Sequence, residues 1–374
     1  MKILYVTNNL NGSDGWSRYS LGIAQNLKEA EILWLIADKT SLGFKQEIIL
    51  SKPLAYLSNF FLIFSTARKI NLFIKIFSPD VIHFLVEPYL VTLPLLNIKK
   101  AKVFSTVHGT YSFLPLVARG GPKRMLWLRW AKLIYKRIDT VVAVSNFTKK
   151  YLIECLDKYN LKEVIKNIKV ISNGVDFKSF GVGGVKKNSS AVKQILFVGA
   201  IKRRKGLKEV IQALKFYQDN FSGNFVFNIV GDYNIKDPYY LQLKELINFL
   251  QLDSKVIFKN KVADSILRDF YAQADLFLMT PIKEGSNFEG FGLVYLEANA
   301  CGVPCVGSKN SGAEEAVLDG QTGYLVDPTL VQDVATKIDL ILNKQTINPE
   351  ACIDWAKQND VSVKIKELLE IYKK

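Results

Sequence analysis

The feature that most constrains this chain is a rhythm. Short, uninterrupted runs of β-branched and aliphatic residues are each followed by a polar or glycine break and a segment of helix length. In the first half the runs are KILYVT (2–7), EILWLIA (31–37), DVIHFLV (80–86), KVFSTVH (102–108), TVVAVS (140–145) and IKVISNG (168–174). A strand that is apolar on both faces belongs in a parallel sheet covered by helices on both sides. The stretch 174–194, rich in Gly, Ser and Lys, breaks the pattern and reads as a linker. The rhythm then restarts with QILFVGA (194–200), NFVFNIVGD (224–232), KVIFKNKV (255–262), ADLFLMTP (274–281) and VPCVGS (303–308). Helices are expected at 206–219, 239–251, 264–273 and 292–301. The pattern predicts an α/β protein of two Rossmann-like, doubly wound domains, 1–180 and 181–351, facing each other across a cleft. The last segment, 352–374, is helical in pattern.

A length of 374 residues agrees with two cores rather than one, and 49% hydrophobic with 23% charged residues describes a globular chain. The amino-terminal MKILYVTNNL has one lysine before a short β-type run and does not read as a cleaved export signal, so a cytoplasmic location is expected. The segments 60–70 and 71–77 are apolar but interrupted by Arg68, Lys69 and Lys75, which argues against a membrane span. Cys155, Cys301, Cys305 and Cys352 have neither CxxC spacing nor a disulfide pattern and are expected as reduced thiols. With two histidines in the chain, no metal site is expected.

The net charge of +15 is unevenly placed. Residues 1–180 hold 26 Lys and Arg against 12 Asp and Glu, and residues 181–374 hold 24 against 23. The basic half points to a polyanionic or membrane-surface partner. Within it, RGGPKRMLWLRWAKLIYKRID (119–139) interleaves cations with Trp127, Trp130 and Tyr135, the composition of an interfacial segment suited to an anionic membrane surface. No nucleic-acid-reading module is visible, so a nucleic-acid partner is not expected.

In parallel sheets the chemistry sits in loops at the carboxyl ends of strands. After the strand at 194–200 comes RRKG (203–206), basic residues at a helix start, which suits a phosphate. The chain has no GxxxxGK[ST] loop, and GSDG (12–15) is not GxGxxG. After the strand at 274–281 comes EGFGLVYLEANACGVP: Gly290 and Gly292 allow close approach of backbone to ligand, and a helix from about Gly292 carries Glu297 two turns inside. Glu289 and Glu297 are then too far apart to act as an acid and base pair on one bond. Glu284 has no such role.

These residues resemble the retaining glycosyltransferases of family 4, with the GT-B fold, over essentially the whole chain. The most specific part is EGFGLVYLEANACGVPCVGS, which looks like the family's E-x7-E element. STVHG (105–109), AVSNFTKK (143–150), SNGVD (172–176), VGAIKRRKG (198–206), SGAEEAV (311–317) and DGQTGYLVDP (319–328) follow the family's order. The resemblance implies a metal-independent transfer of sugar, with retention, from a UDP- or GDP-sugar to a hydroxyl of a glycan or lipid-linked acceptor. No cofactor is implied, and the resemblance implies that the carboxyl-terminal helix, about 352–374, crosses back to pack on the first domain. Glu297 would bind the ribose, Glu289 the donor sugar, and Lys205 the diphosphate. The backbone of Gly290, Phe291, Gly292 and Leu293 would meet sugar and phosphate, with Gly199 in the neighbouring loop. His108 would line the sugar site, and Gly15 would match the second glycine of an amino-terminal loop over the donor phosphates. The family's usual arginine is replaced by Ala200, with Arg204 as the substitute, and Asp14 stands where a first glycine is common. Other GT-B enzymes, a phosphorylase or a nucleotide-sugar epimerase, share the architecture with different site residues. His83, in PDVIHF, reads as structural.

Overall fold

The computed structural model describes residues 1–12, 14–109, 124–181, 191–221 and 223–374. The chain divides into two compact units, Met1–Asn173 with Val361–Lys374, and Gly174–Asp360. The second unit thus begins earlier than the expected boundary at 180. Val175 forms a parallel bridge with Asp360, and the Phe177 N–H donates to the Asp360 carboxylate at 3.1 Å. Residues 182–190 of the expected linker lie outside the described residues.

In the first unit seven strands form one parallel sheet. They are β1 (Lys2–Val6), β2 (Glu31–Ile36), β3 (Gln46–Ile48), β4 (Val81–Phe84), β5 (Lys102–Val107), β6 (Thr140–Ala143) and β7 (Ile168–Val170), in the order β3-β2-β1-β4-β5-β6-β7. The strands at 2–7, 31–37, 80–86 and 102–108 appear where continuous apolar runs predict them, because both faces are covered: Ile3 to Val6 and Val81 to Phe84 are all buried. β3 was not legible, since QEI is short, polar and exposed at the sheet edge. The longer helices are α1 (Gly15–Asn26), α2 (Phe60–Phe77), α3 (Arg124–Arg137) and α4 (Asn146–Lys158).

The second unit repeats the plan with six parallel strands. β8 (Lys193–Val198), β9 (Phe225–Val230), β10 (Val256–Lys259), β11 (Leu276–Leu278), β12 (Cys305–Ser308) and β13 (Gly323–Val326) take the order β10-β9-β8-β11-β12-β13. Its longer helices are α5 (Leu207–Phe221), α6 (Pro238–Phe249), α7 (Asp264–Gln273), α8 (Leu293–Ala300), α9 (Val331–Leu342) and α10 (Pro349–Gln358). β13 is concealed in the sequence by the glycine-marked turn DGQTG. Gly323 lies inside the strand because a Cβ there would sit 2.0 Å from the Cys305 carbonyl oxygen of β12.

The chain returns to the first unit at Val361, later than the expected 352, because α10 remains in the second unit. The final helix, α11 (Val361–Lys373), buries Val361, Ile365, Leu368, Leu369 and Tyr372 in an apolar core of the first unit. Its last turn is pinned by polar contacts. Tyr372 Oη bonds to His83 Nδ1 and lies 3.2 Å from Tyr5 Oη, while His83 Nε2 lies 2.9 Å from Thr106 Oγ1. All four side chains are buried, and burial pulls the His83 ring down to about 3, so a neutral imidazole couples the central strands to the helix. His83 is therefore structural, as the sequence suggested.

Tyr372→Phe keeps the ring and removes the hydroxyl that serves both His83 and Tyr5. It should destabilise the first unit by about 1–3 kcal/mol, because buried polar partners are orphaned. Denaturant unfolding compared with wild type checks this, with the far-UV spectrum of the folded state unchanged.

Candidate functional site

In each sheet the strand order reverses beside the first strand of the unit, between β1 and β4 and between β8 and β11. Ligands of open parallel sheets bind at the carboxyl ends of strands at such a reversal. The sequence-predicted residues gather at these two places.

In the second unit, β8 runs into Gly199 and then a single 3-10 turn, Arg203–Lys205, closed by Gly206 with φ +73°. A Cβ on Gly206 would lie 1.9 Å from the Thr280 carbonyl oxygen, so only glycine lets the loop after β8 touch the loop after β11. The Ile282 N–H donates to the Arg204 carbonyl oxygen at 2.9 Å and ties the two loops together. This contact aims both cations at one carboxylate. Lys205 Nζ donates to Glu289 Oε2 at 2.6 Å, and Arg204 Nη1 donates to the same oxygen at 2.9 Å. Side-chain exposure is 10% for Lys205, 14% for Glu289 and 27% for Arg204, so the cluster is largely shielded from water. Arg204 thus does come to Lys205's side, although Ala200 occupies the usual arginine position.

Two cations on one carboxylate leave the cluster with an excess positive charge. Burial works to raise the Glu289 carboxyl, and Lys205 and Arg204 overcome it, holding the group below the usual carboxylate range. Burial pulls the Lys205 ammonium below its ordinary value, Glu289 opposes that, and Arg204 adds to it. A largely shielded cation pair that its carboxylate only half neutralises is suited to an anion.

The backbone of Glu289 is fixed as well. Its carbonyl oxygen accepts the Gly312 N–H at 2.9 Å, in the SGAEEAV segment, and a Cβ on Gly312 would come within 2.3 Å of the Gly290 backbone. Gly290, Phe291 and Gly292 then lead into α8, whose first residue is Leu293. Gly292 serves as N-cap, so no capping side chain stands at the positive end of the helix dipole. Phe291 is buried. Glu297 is 2% exposed, and the Tyr271 hydroxyl of α7 donates to its Oε2 at 2.8 Å. The two glutamates thus occupy separate environments, one among cations and one against a phenol. Glu284 closes a tight turn with Asn287 and lies 3.8 Å from Arg203.

In the first unit, the loop after β1 leads to Asp14, which is the N-cap of α1. Its Oδ1 accepts the Ser17 N–H at 2.8 Å, Ser17 Oγ accepts the Asp14 N–H at 2.9 Å, and Asn8 Nδ2 donates to Oδ2 at 3.0 Å. A capping carboxylate explains an aspartate where a glycine is common. Gly15 is the first residue of α1, and a Cβ there would meet nothing within 4 Å.

His108 follows β5. Its Nε2–H donates to the Leu85 carbonyl oxygen at 3.0 Å, its ring stands edge-on to Tyr19 at 4.9 Å, and burial pulls it down to about 4. A carbonyl can only accept, so the proton of the neutral ring is on Nε2 and Nδ1 is an acceptor. The His108 N–H donates to Glu87 Oε1 at 2.9 Å. Glu87, 1% exposed, was not singled out from the sequence, although VEPY follows a strand directly. Burial pushes its carboxyl up to about 7, against hydrogen bonds from the His108 and Gly109 amides and the Trp16 side chain. Tyr19 and Tyr271 were likewise missed, since aromatic residues on helices read as core.

All four cysteines are free thiols. Among the described residues no group of three or more His, Cys, Asp or Glu side chains could hold a metal ion.

Comparison with known proteins agrees with this geometry. Residues 14–179 match the model for Glycosyltransferase Family 4, and residues 185–359 match the model for Glycosyl transferases group 1. The chain belongs to the group 1, family 4 glycosyltransferases, and it is a glycosyltransferase with the GT-B fold. An uncharacterized 41.2 kDa protein in the cps region of Klebsiella pneumoniae is 28% identical over 342 residues, 86% of this chain and 85% of that protein. A GDP-mannose-dependent alpha-(1-6)-phosphatidylinositol monomannoside mannosyltransferase of Mycolicibacterium smegmatis is 39% identical over 107 residues, 28% of each chain. Anabaena HepE, solved in complex with UDP and glucose, shares the fold with a TM-score of 0.74 at 20% identity, over 100% of this chain and 99% of that one.

The raised Glu87 carboxyl makes a stability prediction. Its contribution is fully present below the ordinary carboxylate value and is lost as pH rises through about 7, where a buried group must ionise. Glu87→Gln still accepts the His108 amide and never ionises. Its Tm should match wild type near pH 4 and exceed it by roughly 2–4 °C at pH 8. A Tm difference that is flat across this range would contradict the assignment.

Proposed function

We propose that this chain moves a sugar from a UDP- or GDP-sugar to a hydroxyl of a glycan or lipid-linked acceptor, with retention at the anomeric carbon and without a metal. The carrying observation is the Arg204–Lys205–Glu289 cluster at the strand reversal of the second unit. As the bond to the sugar breaks, negative charge grows on the departing diphosphate. Lys205 and Arg204 already stand desolvated and oriented, so their attraction to that charge requires little reorganisation, and the start of α8 adds backbone amides. Preorganised donors of this kind are worth several kcal/mol in total, with one lost donor costing about 3 kcal/mol.

Glu289 has two tasks in this reading. Before the donor arrives it holds the two cations side by side and offsets their mutual repulsion. When the diphosphate takes a share of them, the carboxylate is released to accept hydrogen bonds from sugar hydroxyls. Glu297, with its orientation set by Tyr271, binds the ribose. His108 offers its unprotonated Nδ1 to a sugar hydroxyl. The acceptor hydroxyl attacks on the face the diphosphate leaves, and the departing phosphate oxygen takes its proton, so no side-chain base is needed. Gly15, Gly199 and the backbone of Gly290, Phe291, Gly292 and Leu293 complete the donor contacts.

The relatives support the substrate classes. HepE was solved with UDP and glucose, the mycobacterial relative is named for GDP-mannose and a lipid-linked acceptor, and the Klebsiella protein lies in a cps region. We place the reaction in glycan or polysaccharide biosynthesis at the cytoplasmic face of a membrane, with the basic segment 119–139 as the contact. None of the described helices is long and apolar enough to cross a bilayer.

Glu289→Gln frees both cations, so UDP or GDP affinity, read by calorimetry, should be unchanged or tighter. Transfer should fall by about 10²–10³, read as acceptor-dependent nucleotide release. Glu297→Ala should instead weaken nucleotide binding by about tenfold, the loss of one charged hydrogen-bonding group. Full turnover in both variants would sink the assignment.

A further inference from the structure

The structure rearranges the aromatic evidence for a membrane contact. The sequence pointed to Trp127 and Trp130 in α3, but neither faces outward. Trp127 is 9% exposed and stacks on Phe60 of α2 with ring centroids 5.3 Å apart, and the Trp130 indole N–H donates to the Val91 carbonyl oxygen at 3.0 Å. Arg137 also turns inward, its guanidinium donating to the carbonyl oxygens of Leu93, Pro94 and Leu96. These residues hold the helix to the protein. What α3 leaves outside is Met125, Leu126 and Leu133, together with exposed Arg124, Arg129 and Lys132. Residues 119–123 lie outside the described residues.

Among the described residues of the first unit, the exposed phenylalanines belong to α2. This helix buries Ile63, Thr66, Ala67, Ile70 and Phe77 and turns Phe61, Phe64, Leu72 and Ile76 to solvent, with Phe61 at 88% exposure. Positions 61, 64, 68, 72 and 76 recur at helical spacing, so they form one stripe, with Arg68 at its middle and Lys69 and Lys75 along its edge. A solvent-facing helix ordinarily carries its charged residues on that side and its apolar ones toward the core. Here both sides are apolar. Neither α2 nor α3 contains a single acidic residue.

The two exposed faces lie on one side of the unit. Ile63, Ala67 and Ile70 of α2 share a single core cluster with Trp127, Ala131 and Ile134 of α3, so both helices lie on the same side of the sheet. Their opposite faces therefore point away on that same side, joined by the Phe60–Trp127 stack. We propose that α2 and α3 together seat the first unit on an anionic lipid surface, with Phe61, Phe64, Leu72 and Ile76 entering the headgroup boundary and the arginines and lysines of both helices meeting lipid phosphates. The occupant is fixed by charge. A protein interface places its uncharged aromatics at the centre and depletes lysine there, whereas phenylalanines interleaved with cations, and no anions, match the boundary between headgroups and acyl chains. The inference rests on the membrane reading above for α3 and adds α2 as the apolar half of the surface.

The test is sedimentation of the full chain with vesicles of phosphatidylglycerol and phosphatidylcholine, and with phosphatidylcholine alone, comparing wild type with Phe61→Ser/Phe64→Ser. Wild type should bind the anionic vesicles, and the double variant should lose about tenfold or more in partition, since two phenylalanines no longer leave water. Turnover with a short soluble acceptor should be unchanged in the variant, which separates failure of this inference from failure of the transfer reaction. A second variant, Arg129→Gln/Lys132→Gln, should lose the preference for anionic over neutral vesicles. Equal vesicle binding by wild type and the phenylalanine variant overturns the proposal, as does negligible wild-type binding to either vesicle. A loss of self-association on gel filtration with vesicle binding intact would also overturn it, by making the stripe a protein contact.

Discussion

The second unit is organised around one oxygen atom, Glu289 Oε2, which accepts from both Lys205 and Arg204. Everything that fixes this contact is backbone geometry. Gly206 lets two loops approach at a distance no side chain tolerates, Gly312 lets a third loop hold the Glu289 carbonyl, and Gly292 turns the chain into α8. Three loops from three strand ends converge within a few residues of one another, and the parallel sheet brings those strand ends side by side. A shielded carboxylate with one buried and one part-buried cation is costly to assemble unless every charge is matched. Here one positive charge is left over at the place where the strand order reverses, open to an anion.

The first unit uses the same sheet order for a gentler purpose. Its strand reversal carries a neutral histidine with a defined tautomer and a carboxyl raised by burial, rather than an ion cluster. Leu85 sets the histidine's proton and Glu87 sets its backbone, so the acceptor nitrogen is presented by strand ends and not by a flexible loop. The same arrangement of strands thus supplies strong fixed charge in one unit and a hydrogen-bond acceptor in the other. Asp14 shows how tolerant the frame is: an aspartate in place of a glycine is absorbed by a capping box.

Much of this was legible in the sequence because parallel strands buried on both faces leave an uninterrupted apolar signature. Strands without it escaped: β3 lies exposed at an edge, and β13 begins in a glycine turn whose purpose is contact with Cys305. Among the candidate residues, motif spacing was enough to single out Glu289, Glu297 and Lys205, and the fold brings Glu289 and Lys205 into contact. Glu87 and Tyr271 were not, since their roles depend on which backbone amide or carboxylate a neighbouring element brings within reach. Trp127 and Trp130 show the converse failure. Composition announces that tryptophans lie beside cations, but only packing decides which way a ring turns, and both rings turn inward.

The pin between Tyr372 and His83 bears on the order in which the protein comes into being. The helix that completes the first unit's core is separated from the rest of that unit by all of the second. During synthesis the first unit's central strands emerge early, with the imidazole and the Tyr5 hydroxyl lacking the phenol that will cover them. The second unit is contiguous in the chain and can close on itself first. The half of the molecule that is made first is therefore the half that is finished last, and its exposed, basic, aromatic surface is presented to the cell while its core still waits for a partner from the far end of the same chain.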